Sequence, residues 1–158
     1  MAIFSIRDVF DVAVKIEERG EKFYRETAKV IPKVEVKDLF EKLADEEVVH
    51  KKIFRQMGQK IGAVNLESAA REEFYDYLEA YTQNLIFSDA SDESKIPAIQ
   101  DAKTALLYAI ERELDSVLYY KEIKELIPVS EHQLIDGIIN EERRHVVRLS
   151  ELKKNLTS

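Results

Sequence analysis

LADEEVVH at residues 43–50 and IINEERRH at 138–145 are two copies of one pattern, 95 positions apart. Each places a glutamate three residues before a histidine: Glu47 before His50, and Glu142 before His145. On an α-helix, residues three apart share a face within one turn, so the two side chains of each pair can converge on one point. Apolar residues at helical spacing surround both pairs. Leu39, Leu43, Phe54 and Met57 share the face of Glu47 and His50; Ile138, Leu149 and Leu152 share that of Glu142 and His145. An apolar stripe faces a core, and these stripes carry their polar pairs into it.

A second repeat precedes each of these. AVKIEERGEKFY (13–24) matches AIERELDSVLYY (109–120) at an offset of 96. The first belongs to the stripe Ala13, Glu17, Gly20, Tyr24 and Ala28, the second to Leu106, Ala109, Glu113, Ser116, Tyr120 and Ile123. The repeated identities include Glu17 with Glu113, Tyr24 with Tyr120, Glu47 with Glu142 and His50 with His145. A repeat kept for core packing alone would preserve aliphatic residues; this one preserves polar ones.

Each of the four stripes carries a glutamate near its middle. A single glutamate on an apolar stripe usually sits at the edge, in water. Four at equivalent places in a repeat, two with a histidine three residues on, is a different matter. Buried carboxylates facing one another repel and are untenable without counter-charge, and no Lys or Arg on these stripes offers it. Two divalent cations would neutralise four glutamates, with the histidines uncharged. One Glu from each of two helices plus Glu-x-x-His from each of two others is the arrangement by which four-helix bundles hold a pair of iron or manganese ions. The candidate metal ligands are therefore Glu17, Glu47, His50, Glu113, Glu142 and His145. Tyr24 and Tyr120, seven residues beyond Glu17 and Glu113, are read either as core aromatics or as hydroxyls bonding the metal-bound carboxylates. Glu18, Glu46, Glu111 and Glu141 sit beside the ligands but turn off the stripes, and His132 has no matching partner and is expected at the surface.

The periodicity is helical almost throughout. Helices are expected from about Ile6 to Val30, with Ser5 as N-cap, and from about Glu35 to Met57, stopping at Gly58. A shorter helix is expected at 71–87, with Phe74, Leu78, Tyr81 and Leu85 as its apolar stripe, followed by a polar linker at 88–94. Long helices follow at about 97–126, with Pro97 in the first turn, and 131–156, opened by a capping box of Ser130 and Gln133. Short connections make the first and last pairs antiparallel neighbours, while about 40 residues join the pairs. The fold class is all-α: one domain over 1–158, a ferritin-like four-helix bundle of pairs 6–57 and 97–156, with a long crossover at 58–96 containing an extra short helix.

Composition agrees. The chain has 158 residues, 45% hydrophobic and 35% charged, which suits a globular domain with a sizeable core. Four Gly and three Pro are too few for the turns of an all-β fold. The absence of cysteine rules out iron–sulfur clusters and thiol chemistry. A net charge of −7 disfavours nucleic acid and favours metal cations. The longest apolar run, 105–110, is far short of a membrane span. A cytoplasmic location is the expectation.

With the motifs Glu17-x-x-Gly20-x-x-Phe23-Tyr24, Glu47-x-x-His50, Glu113-x-x-Ser116-x-x-Tyr119-Tyr120 and Glu142-x-x-His145, the sequence resembles the rubrerythrin-like branch of the ferritin-like superfamily over nearly its whole length. The resemblance implies a di-iron carboxylate centre: Glu17 and His50 on one iron, Glu113 and His145 on the other, Glu47 and Glu142 bridging. It implies an oxidoreductase that reduces peroxide or dioxygen with electrons from an external donor protein, an oxidative-stress role and a homodimer. The alternatives are an iron-binding or storage protein with ferroxidase-type entry, and a di-manganese, catalase-like protein, since carboxylate and imidazole suit both metals. Three departures stand out. The cysteines of a rubredoxin domain are absent. Ser116 stands where rubrerythrins carry a further glutamate linked to redox-dependent ligand exchange. Val48 and Val49 occupy the gap where bacterioferritin has its haem-binding Met, so no haem is expected.

Overall fold

The first helix begins where the chain satisfies its own loose N–H groups. Ser5 Oγ accepts from the Asp8 N–H, and the Asp8 carboxylate accepts from the Ser5 N–H at 2.6 Å, a reciprocal capping box. In the computed structural model, which describes residues 5–61, 69–81, 99 and 101–157, this helix, α1, spans Ile6–Val30. It ends before Pro32. Helix α2 spans Val34–Ile61, α3 Ala69–Tyr81, α4 Ala102–Leu126 and α5 His132–Thr157, with a 3₁₀ turn at Val129–Glu131. No strand occurs among the described residues.

The long helices form two antiparallel pairs. Arg25 pairs with Asp45, Lys51 with Glu21 and Arg55 with Glu18, each rise along α1 matched by a fall along α2. Lys124, near the end of α4, pairs with Asp136, near the start of α5, as in a hairpin of helices. The most extensive helix contacts are α1 with α2 and α4 with α5, and α1–α4 and α2–α5 contacts join the pairs. Two apolar blocks fill the interior. One holds Val9, Phe10, Phe54, Met57, Tyr119, Ile123 and Ile135, against which Leu78 and Tyr81 of α3 pack. The other holds Phe23, Phe40, Leu43, Leu106 and Leu149. The repeated glutamates and histidines lie at the levels between them, every one buried.

Several expected boundaries move. Gly58 does not end α2, which runs on to Ile61; the glycine serves packing instead, since a Cβ there would lie 3.0 Å from Phe10 Cβ. α1 and α2 approach so closely at this level that a methyl group would crowd Phe10 and push it aside by a few tenths of an ångström. α4 starts at Ala102 rather than near Pro97, because Asp101 caps it: its carboxylate accepts from the Thr104 N–H at 2.8 Å and the Thr104 hydroxyl at 2.6 Å. The Ser130–Gln133 capping box does not form. The Glu131 N–H bonds the Pro128 carbonyl at 2.9 Å, winding Ser130 into the 3₁₀ turn and denying it the extended conformation of an N-cap. α3 starts at Ala69 and its described part ends at Tyr81. Leu85, Phe87, the linker 88–94 and Pro97 lie outside the described residues. Among the described residues, no helix is long and apolar enough to cross a membrane.

Two glycines give opposite expectations. Gly137 in α5 has nothing within 4 Å of a would-be Cβ. Gly137→Ala should stabilise the protein by about 1 kcal/mol through helix propensity. Gly58→Ala should destabilise it by about 1–2 kcal/mol, as forced overpacking against Phe10 outweighs the same gain. Urea unfolding measures both; equal effects would contradict the close α1–α2 contact.

Candidate metal centre

Each long helix presents one glutamate to the bundle axis: Glu17 from α1, Glu47 from α2, Glu113 from α4 and Glu142 from α5. None is more than 4% exposed. His50 and His145 follow one turn later on α2 and α5, and their rings lie nearly parallel, 5.7 Å apart and 18° from coplanar. The structure thus brings together all six residues singled out from the sequence. Their donor atoms form two overlapping groups. Glu17, Glu47, His50 and Glu142 make one; Glu47, Glu113, Glu142 and His145 make the other. Within each group the atoms lie within 4.8 Å of one another, close enough to hold one metal ion, and Glu47 and Glu142 belong to both.

The inner atoms are poorly served by protein alone. His50 Nδ1 lies 2.8 Å from Glu142 Oε1 and 3.6 Å from Glu17 Oε2; His145 Nδ1 lies 3.1–3.5 Å from Glu142, Glu113 and Glu47. These are ion-pair distances without hydrogen-bond alignment. Among the described residues, six buried atoms have no hydrogen-bond partner: Glu17 Oε2, Glu47 Oε1, both Glu142 oxygens and the Nδ1 atoms of His50 and His145. Orphaned buried polar atoms are rare and costly. Oxygen and imidazole donors pooled in this way fit two metal ions of the iron or manganese kind.

The outer atoms, by contrast, are tied down. Tyr24 on α1 donates its hydroxyl to Glu113 on α4, and Tyr120 on α4 donates to Glu17 on α1. Each tyrosine thus reaches across to the other half of the repeat. The histidines are tied across as well: His50 Nε2 meets Glu141 Oε2 at 2.6 Å, and His145 Nε2 meets Glu46 Oε2 at 2.6 Å. With Nε2–H donating to a carboxylate, Nδ1 keeps its lone pair for the centre. Arg148 holds Glu46 in turn, at 3.0 and 3.1 Å. By helical spacing Glu46 and Glu141 turn off the ligand stripes. They do turn off them, toward the back of the opposing histidine, and their repeat-equivalent positions one before each Glu-x-x-His were the available signal. Gly20 also takes part: a Cβ there would lie 3.3 Å from Glu47 Oε2, so the carboxylate rests against a bare backbone. Its repeat mate Ser116 turns its hydroxyl to the Arg112 carbonyl at 3.0 Å. His132 lies away from the centre, half-buried, with Nε2 3.1 Å from the Ile127 carbonyl.

The electrostatics follow from burial and crowding. Burial, then the charges of Glu17, Glu142 and Glu113, holds Glu47 well above the ordinary carboxylate range. Glu142 is pushed up to about 8 by burial and by Glu113 and Glu17, against the pull of the two histidines. Burial raises Glu113 too, but His145 leads the contacts that overcome this and lower it. Burial works against the charged form of the histidines, yet the facing carboxylates prevail, pushing His50 up to about 12 and His145 to about 10. Without metal, protons take the place of cations.

Two outcomes follow. Groups whose folded pKa is raised contribute stability that is complete below their unfolded pKa and is lost as pH rises through the folded value. The metal-free protein should therefore lose thermal stability progressively from about pH 4.5 upward, as the unfolded chain sheds the proton that Glu142 keeps until about pH 8, and further above about pH 6.5, where the histidines add the same effect; saturating divalent metal should remove that loss. Melting curves at several pH values check this; a flat metal-free profile from pH 6.5 to 9 contradicts it. Glu46→Gln and Glu141→Gln should each weaken metal binding about 10–100-fold, measured by anaerobic calorimetric titration; unchanged affinity would show the back-side carboxylates to be incidental.

A search of curated proteins finds no match. Among solved structures, the chain is similar to a crystal structure from Thermotoga maritima described as a ferritin-like diiron-carboxylate protein. The two are 26% identical, the match covers 98% of this chain and 97% of that one, and the TM-score is 0.68. The fold is thus ferritin-like. The family model for Rubrerythrin matches residues 8–153. That match takes in all four helices of the bundle and every residue of the buried cluster, and with it the chain belongs to the rubrerythrin family.

Proposed function

We propose that the protein holds two iron ions and uses them to reduce peroxide, or dioxygen, with electrons from an external donor. The observation that carries this reading is the sharing of Glu47 and Glu142 between two donor groups whose inner atoms lack any other partner. Glu17 and His50 would serve one ion, Glu113 and His145 the other, with Glu47 and Glu142 common to both. When bound, the ions supply electrons and Lewis acidity for cleaving an O–O bond. The similarity to a diiron-carboxylate protein supports iron; the donor set itself would accept manganese.

The chain's own residues do the rest. The two apolar blocks keep bulk water from the centre at both ends. Glu46 and Glu141 fix the histidine rings, so that the Nδ1 atoms face inward. Tyr24 and Tyr120 each hold a phenolic proton against a carboxylate, Glu113 and Glu17. Burial, followed by the neighbouring carboxylate charges, raises both phenols well above their ordinary range, which keeps each proton on its phenolic oxygen.

Metal analysis of protein from its native source should find iron in preference to manganese. Stopped-flow mixing of the reduced, iron-loaded protein with peroxide should give rapid stoichiometric oxidation, reversed by an added reductase. Accumulation of many irons per chain would favour storage and overturn the peroxide reading. Glu47→Ala should abolish binding of both ions; two ions held at wild-type affinity would contradict its shared position.

A further inference from the structure

The two histidines are held from behind by equivalent carboxylates, and the repeat allows those supports to be compared residue by residue. Glu46 and Glu141 are repeat mates, 95 positions apart. Each meets the Nε2 of its histidine at 2.6 Å. Their side chains are 41% and 47% exposed, so water screens the two alike. What stands beside them differs. Arg148 on α5, three residues after His145, gives Glu46 two contacts from one nitrogen, at 3.0 and 3.1 Å. The repeat mate of Arg148 is Ile53, three residues after His50 on α2. Ile53 is half-buried against the first apolar block. Among the described residues, no Lys or Arg forms an ion pair with Glu141. The same place in the repeat thus carries a cation behind one histidine and a hydrocarbon behind the other.

We infer that Arg148 makes the two metal positions unequal, so that the ion served by Glu17 and His50 binds first and more tightly than the ion served by Glu113 and His145. The inference rests on the two-ion reading above and adds an order to it. A carboxylate that accepts from Nε2–H pushes electron density through the ring to Nδ1, the donor that faces the centre, and makes the imidazole a stronger ligand. Behind His50, Glu141 gives its full charge to that bond. Behind His145, Glu46 divides its charge between the ring and a guanidinium. Arg148 also brings its own positive charge toward one ion and not the other. Bracing works in the opposite direction, since a fixed carboxylate orients the ring better. That contribution is small, because the contact to Nε2 already holds Glu46 and an ion pair as exposed as this one adds little order. Charge therefore decides the sign. The gap in affinity should be about tenfold, the lower end of what losing such a support costs. A trivalent ion is repelled more than a divalent one, so the His50 position is also the one that favours ferric iron.

Cobalt(II) tests this without peroxide or turnover. Metal-free protein is titrated anaerobically with Co(II), and the hyperfine-shifted Nε2–H proton of each ligating histidine is followed by NMR. His50→Gln and His145→Gln, each lacking one signal, assign the pair. For independent positions tenfold apart, the His50 signal at one equivalent should be about three times as intense as the His145 signal. Arg148→Ile should make the two equal by tightening the His145 position, while Arg148→Lys, which keeps the charge, should preserve the gap. Ile53→Arg should close the gap from the other side, and Arg148→Ile combined with Ile53→Arg should reverse the order. An intact melt qualifies each variant; if Ile53→Arg does not fold, Arg148→Ile alone carries the comparison. Equal signals in wild type, His145 filling first, or a gap untouched by Arg148→Ile would overturn the inference. A protein that shows the order, yet leaves peroxide untouched once loaded with iron, keeps the inference and loses the peroxide reading. One that is oxidised rapidly by peroxide but fills both positions together keeps that reading and loses the inference; one that takes up no divalent ion loses both.

Discussion

Four carboxylates are held in the interior of this bundle, and their mutual repulsion is the constraint around which the structure is arranged. Moving an ionised carboxylate out of water costs several kcal/mol even after relaxation, on the order of that for each ion. Two histidines and two phenols meet part of the demand, and the raised Glu47, Glu142, His50 and His145 show protons meeting more of it. Six donor atoms remain without partners. An apolar core would have been cheaper at every one of these positions. The sites of greatest local conflict are where a folded chain is shaped by function rather than by stability.

The conflict is contained by links that cross the bundle. Tyr24 reaches from α1 to Glu113 on α4, Tyr120 from α4 to Glu17 on α1, Glu46 from α2 to His145 on α5, and Glu141 from α5 to His50 on α2. No helix pair completes its half of the centre alone. Holding the donors together therefore also holds α1–α2 to α4–α5, and the same bonds orient the groups that face inward.

The repeat is most informative where it breaks. Gly20 lets Glu47 lie against bare backbone, while its mate Ser116 spends its hydroxyl on its own helix. Arg148 braces Glu46, whereas among the described residues no arginine or lysine does the same for Glu141. Phe23 faces Tyr119 as its equivalent. The two sides of a centre built from repeat-related halves thus present different surroundings: Phe23 and Phe40 stand beside Tyr24, while Phe54 and Tyr119 stand beside Tyr120.

Much of this was legible in the chain itself. Helical periodicity, few Gly and Pro, and the 95–96-residue repeat determine the all-α pairs, and the lone polar residue on each apolar stripe marks Glu17, Glu47, His50, Glu113, Glu142 and His145 as facing one another. These are local signals, because a stripe and its spacing are properties of single helices. Boundaries were less legible where competing caps exist: Asp101 takes the place of Pro97, and the 3₁₀ turn at 129–131 absorbs Ser130. Gly58 reads as a helix stop, yet it is a contact with Phe10, 48 residues earlier in the chain. Tertiary structure alone decided what stands behind each histidine and which aromatic ring touches which. Glu46 lies 99 residues from His145, and Tyr81 is carried to Tyr119 by a helix whose placement no periodicity encodes. Such pairings depend on how helices are rotated and stacked, which packing of the whole bundle fixes and no single stripe contains.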